Sequence, residues 1–122
     1  MNMLTIAQGL SYRAATANAI IFEQAQIAVP LTALVGAVPT LRFRRLADGS
    51  LPLTVDGVYL DSSGAVNNGS QAVSVQFELS AAETALLTDT NPQAYQYDVV
   101  AVWTDADPTA LVGAEEVRVT WG

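Results

Sequence analysis

Residues 72–79 read AVSVQFEL, with Val73, Val75, Phe77 and Leu79 alternating with Ser74, Gln76 and Glu78. Successive side chains of an extended chain point to opposite faces, so a period of two marks a half-buried strand and excludes a helix. The C-terminus repeats the pattern, Val117, Val119 and Trp121 alternating with Glu116, Arg118 and Thr120. In the YQYDVVAVW segment, Tyr95, Tyr97, Val99, Ala101 and Trp103 share one face, while Val100 and Val102 join Asp98 on the other. Apolar residues on both faces predict a central strand. Further strands are expected at 4–7, 19–22, 27–31, 41–46 and 55–60, with turn-rich pieces ADGS, DSSG and NNGS between several of them. About seven or eight short strands with frequent turns predict an all-β chain folded as an immunoglobulin-like antiparallel β-sandwich.

One segment breaks the alternation. Ser80-Ala81-Ala82-Glu83 is a capping box, and Ala85, Leu86 and Leu87 follow before Asn91-Pro92. A short helical turn near residues 81–88 is expected to join two strands. At 122 residues and 12.8 kDa the chain suits one domain spanning 1–122. Its hydrophobic fraction of 51% against 14% charged, with mean hydropathy +0.30, exceeds what one core of this size needs, so part of the excess is expected to be buried against partners. The apolar run from Ile27 to Val38 is broken by Pro30, Thr32 and Gly36, and no stretch approaches the roughly 20 residues of a membrane-spanning helix. The N-terminal MNMLTIAQGLSYR lacks the charged start and apolar run of a secretory signal. No Cys is present, so stability must come from packing without disulfides.

Twelve acids against five bases, all of them Arg, give a net charge of −7 that repels a phosphate backbone, so no nucleic-acid partner is expected. Arg42 and Arg44, at alternate positions of a strand, would share a solvated or interface face opposite Leu41 and Phe43. The absence of His, Lys and Cys removes the usual general base, Schiff-base amine and thiol nucleophile. The acids sit mostly at turns or on polar strand faces, so the chain reads as no enzyme, with no cofactor and no small-molecule substrate. Asp105 with Asp107, Asp61, and Asp89 with Asn91 form oxygen-rich turns that could hold Ca²⁺, but Asp and Asn favour such turns for their own backbone bonds. None matches the twelve-residue calcium loop, and no metal is expected. Tyr95, Tyr97, Trp103 and Trp121 would suit a sandwich core or, alternatively, a sugar-stacking platform.

Five pieces in order carry a family resemblance: TIAQG at Thr5 to Gly9; VPLTALVGAVPTLRFRR from Val29; VSVQFELSAAETALL from Val73; YQYDVVAVWTDAD from Tyr95; and VGAEEVRVTWG at the end. This order resembles the immunoglobulin-like domain at the N-terminus of phage upper baseplate proteins, over nearly the whole chain. The helical turn followed by the Tyr-x-Tyr-Asp strand carries most of the likeness, while Gln8 stands where the family often has Arg. The resemblance implies a non-enzymatic virion structural protein of the tail, baseplate or fibre-attachment region, made in the host bacterial cytoplasm. Its implied partners are other virion proteins and copies of itself in a three- or six-fold assembly. Members of the family carry a long extension after the domain, so this chain would correspond to the docking part. A capsid decoration protein and a carbohydrate-binding module are the alternatives. For docking, the expected interface residues are Thr5, Ile6 and Gln8 on the first strand, Val29, Leu31, Leu34 and Val35 in the apolar run, Arg42 and Arg44, and Trp121.

Overall fold

The computed structural model describes residues 3–121. Nine strands and one short helix follow in chain order: β1 (Leu4–Ala7), β2 (Ile20–Glu23), β3 (Val38–Arg45), β4 (Leu53–Asp56), β5 (Val58–Leu60), β6 (Val66–Asn67), β7 (Ser74–Phe77), α1 (Ala81–Thr84), β8 (Tyr95–Val102) and β9 (Thr109–Thr120). They form two sheets, ordered β1-β9-β8-β3-β4 and β2-β7-β5-β6. The chain passes between the sheets from β1 to β2, β2 to β3, β4 to β5 and β7 to β8, the connectivity of an immunoglobulin-like sandwich. All pairings are antiparallel except β1 with β9, where Leu4 to Ala7 run parallel to Val117 to Thr120.

The alternating residues meet between the sheets. Leu41, Phe43, Tyr95, Tyr97 and Val99 project from one sheet, and Phe22, Tyr59, Val75 and Phe77 from the other. Phe22 bridges them, its ring edge-on to Phe77 at 6.0 Å and tilted against Tyr97 at 5.8 Å. Such pairs add specific geometry to the area they bury. The expected helical turn is present at α1. Glu83 N–H donates to Ser80 Oγ at 3.1 Å, and Ser80 N–H to Glu83 Oε1 at 2.8 Å. Both amides would otherwise lack helical partners.

Four expected elements differ. Residues 27–31 form no strand: 3-10 turns at Gln24–Gln26 and Leu31–Ala33 fold the chain across the end of the core. The Gln24 amide fixes this course, donating to Val29 O at 2.9 Å and accepting from Leu31 N–H at 2.8 Å. The 55–60 segment is two strands in different sheets, broken at Gly57, whose N–H reaches Pro39 O. The 72–79 strand begins only at Ser74, leaving Val73 exposed. The last strand starts at Thr109, and register shifts between Tyr97 and Val100 let both Leu111 and Val112 turn inward.

Two buried phenols give the fold an alkaline limit. Tyr59 Oη donates to Ala37 O at 2.7 Å, and burial pushes its pKa up to about 12. Burial, followed by the charge of Glu115, pushes Tyr97 to about 12 as well. A phenol held neutral in the fold but titrating near its ordinary 10 when unfolded supplies stability that is complete below pH 10 and lost as pH rises towards 12. Circular dichroism is expected to show unfolding within that window, and Tyr97→Phe to make the loss shallower. An identical titration for the variant would show that Tyr97 does not contribute.

Candidate docking surface

At one end of the sandwich β1, the segment after α1 and the end of β9 converge. Gln8 N–H continues the parallel ladder to Thr120 O at 2.9 Å, and the Gln8 side-chain amide donates to Leu87 O. Thr84 Oγ1, fully buried, donates to Leu10 O at 2.8 Å. These bonds tie the first strand to the helical turn. Gln8, Gly9, Ala85, Thr88 and Trp121 then line one shallow hollow, with Trp121 79% exposed and Leu10 and Leu86 also exposed nearby in sequence. An aromatic ring left in water has the chemistry of an interface anchor.

The expected interface residues divide. Thr5 is exposed on the β1 edge, and Gln8 and Trp121 meet at the hollow. Ile6, Leu31 and Leu34 are corrections: all three are buried in the core, Leu31 and Leu34 because the apolar run caps the sandwich end, and Ile6 because its side of β1 faces between the sheets. Val29 packs against that core, half-buried. Val35 is exposed, but beside Gly69, away from the β1 group. Arg42 is not free to bind a partner's anion. Its Nε and Nη2 donate to Asp98 Oδ1 at 2.8 Å and Oδ2 at 2.6 Å across the β3–β8 pair. The Asp98 hydrogen bonds, then its charge, raise the Arg42 pKa above the usual value against the opposing effect of burial. Arg44 donates to Gly49 O at 3.2 Å within the β3–β4 turn.

The bidentate Arg42–Asp98 pair has side-chain exposures of 27% and 23%, between surface and core. A double-mutant cycle of Arg42→Gln and Asp98→Asn, read by denaturant unfolding, is expected to give a coupling of about 1 kcal/mol. A coupling near zero would mean that solvent already screens it.

Several Asp-containing turns resolve into local structure. Asp48, Asp61 and Asp89 each accept the backbone N–H two residues on, from Ser50, Ser63 and Asn91 at 2.9–3.0 Å. The Ser63 hydroxyl, with backbone amides, holds the Asp61 carboxyl below the usual carboxylate range, and Ser50 does the same for Asp48. Among the described residues no three His, Cys, Asp or Glu side chains gather as a metal set. Glu115 and Glu116 border an open hollow with Leu46 and Pro92, but as adjacent strand residues opposite Tyr97 and Gln96 they project to opposite faces. Tyr95 and Tyr97 lie in the core, and Trp103 is half-buried with its Nε1–H on Thr109 Oγ1 at 3.1 Å, so they form no exposed sugar platform.

Sequence reasoning missed Leu10, Leu86, Ile21, Val58 and Val66 as exposed apolar residues. The doublet Ile20-Ile21 was the available signal for β2, since a strand with one polar face does not place Ile on both. Comparisons with family models, with curated proteins and with solved structures found no match.

Proposed function

We propose that this chain is a non-catalytic structural module of a bacteriophage virion, an adaptor in the tail, baseplate or fibre-attachment region that docks neighbouring subunits. The observation that carries the docking half is Trp121, 79% exposed where β1, the helical turn and β9 are tied together. A hydrogen-bonded frame beside a solvent-exposed indole suits a contact that must form without reorganising the module. The virion half rests on the resemblance carried by the Ser80 helical turn and the Tyr95-Gln96-Tyr97-Asp98 strand. In this fold the turn braces β1 through Thr84 and Leu10, and Asp98 clamps Arg42 across two central strands.

The test is immunogold electron microscopy of phage particles from the source lysate, with antibody raised against the purified chain and accessibility checked on disrupted particles. Label at the tail tip or neck is the expected result. Label spread over heads would replace the adaptor with a capsid decoration protein, and unlabelled particles with an accessible epitope would remove the virion assignment.

A further inference from the structure

The NNGS turn after β6 sets two asparagines before a glycine, and docking uses neither. Of the five Asn in the chain, Asn68 alone precedes Gly, so the backbone nitrogen that follows it carries no Cβ beside it to hinder approach. Asn91 precedes Pro92, which has no N–H, and Asn18 precedes Ala19, with its amide bonded to Arg13 N–H and Ser11 O. Asn68 is exposed. Gly69 is buried at φ 106°, where a Cβ would lie 3.4 Å from the Tyr59 ring and 3.5 Å from Val35 Cα. Two bonds close the turn: Gly69 N–H donates to Asn67 Oδ1 at 2.7 Å, and Ser70 N–H donates to Asn68 Oδ1 at 3.0 Å. Asn67 Nδ2 is buried with no hydrogen-bond partner among the described residues, so the turn leaves one donor unmatched while keeping the Asn67 carbonyl on Gly69.

The geometry points to a modification site: Asn68 deamidates by attack of the Gly69 nitrogen, and the Asn67 carbonyl is the latch that keeps the reaction slow while the turn is closed. In that step Gly69 N loses its proton to solvent, and its electron pair attacks Asn68 Cγ. The N–Cγ bond forms, the Cγ–Nδ2 bond breaks, and Nδ2 takes up a proton and leaves as ammonia. Water then opens the cyclic imide. Cleavage of the new N–Cγ bond gives an aspartyl residue, and cleavage of the original peptide bond gives an isoaspartyl linkage, with the chain running through the side-chain carbonyl. An amide nitrogen attacks only without its proton, and the Asn67 carbonyl is too weak a base to remove it. The bond at Asn67 Oδ1 therefore stabilises the unreactive N–H form, and the reaction waits for the turn to open. Little holds it shut beyond these bonds, since β6 is a two-residue strand at the sheet edge, paired with β5. Each event turns a neutral amide into a carboxylate, adding a negative charge to the net −7. The isoaspartyl product also adds a methylene to the backbone where Gly69 packs on Tyr59 and Val35. The site belongs to the isolated chain and does not depend on the docking reading.

The test incubates the purified chain in mildly alkaline buffer, with and without guanidinium chloride, and follows it by isoelectric focusing and peptide mapping with mass spectrometry. Acidic forms are expected to accumulate, with the mass change of NH2 to OH and the isoaspartate both at Asn68. The rate is expected to be at least about tenfold higher in denaturant, where the turn no longer closes. Asn67→Ala, checked for folding by circular dichroism, is expected to react about fivefold faster than the parent in buffer, the equivalent of one hydrogen bond, and at the parent's rate in denaturant. Asn67→Asp keeps an acceptor for Gly69 N–H and is expected to react no faster than the parent in buffer. Asp48-Gly49 and Asp56-Gly57 rearrange through the same kind of imide without releasing ammonia, so the charge shift separates Asn68 from them. Four results would each overturn the inference: Asn68 unmodified in denaturant, a parent that reacts as fast folded as unfolded, equal rates for folded parent and Asn67→Ala, or an Asn67→Ala effect of the same size in denaturant. None of these depends on whether virions are labelled, so the two tests fail separately.

Discussion

Leu34→Asp is expected to unfold the chain, while Val35→Asp leaves it folded. The neighbours sit in one apolar run, yet Leu34 is 2% exposed in the core cluster and Val35 is 45% exposed. Removing a buried Leu side chain costs about 2–5 kcal/mol, and leaving a carboxyl without a partner in its place adds to that. The sum of roughly 4 kcal/mol or more is comparable with the whole 5–15 kcal/mol of a typical domain. Val35→Asp places the charge in water and should change stability by no more than about 0.5 kcal/mol. Thermal unfolding by circular dichroism checks both: Leu34→Asp should lack a cooperative transition at room temperature, and Val35→Asp should keep one near the parent midpoint. A folded Leu34→Asp would mean that the capping turn can lift off the sandwich.

That contrast shows where the sequence could be read and where it could not. The period-two segments placed β7, β8 and the C-terminal half of β9, because a side chain's face in a strand follows from its position alone. The Ser80–Glu83 box placed α1 because its two reciprocal bonds are local. The segment from Gln24 to Ala37 was not legible in this way. Its course depends on one Gln side chain closing bonds to Val29 and Leu31, and its apolar residues pack at spacings of neither strand nor helix. Leu31 and Leu34 therefore read as an outward apolar surface although they are buried, while Ile6 is buried for a separate reason, the inward side of β1 in its pairing with β9. Trp121 was legible as a candidate because it ends an alternating strand. Its 79% exposure depends on where β9 stops relative to the helical turn, which is a long-range fact.

The crossover at Gly57 is a second long-range fact, and a one-carbon change tests it. Here the chain leaves β4 in one sheet and enters β5 in the other, held by its N–H on Pro39 O at 2.7 Å. A Cβ at Gly57 would lie 2.5 Å from Gln76 O and 2.6 Å from the Phe77 ring. Phe77 is fully buried against Phe22, and Gln76 O belongs to a central strand, so neither can give way cheaply. Gly57→Ala is therefore expected to cost about 3 kcal/mol, the upper end for overpacking. Gly113→Ala is the matched control, since a Cβ there meets nothing within 4 Å. With no left-handed backbone at that position, it should be neutral or stabilise by about 0.4–1 kcal/mol through the unfolded chain. Denaturant midpoints of the two variants, at equal slope, separate the effects. If Gly57→Ala proved as stable as Gly113→Ala, the two sheets would have to slide apart at the crossover, and the close approach of Gly57 to Phe77 would not set the inter-sheet spacing. A fall confined to Gly57→Ala would mean that the sandwich is held at this spacing by a position whose only requirement is the absence of a side chain.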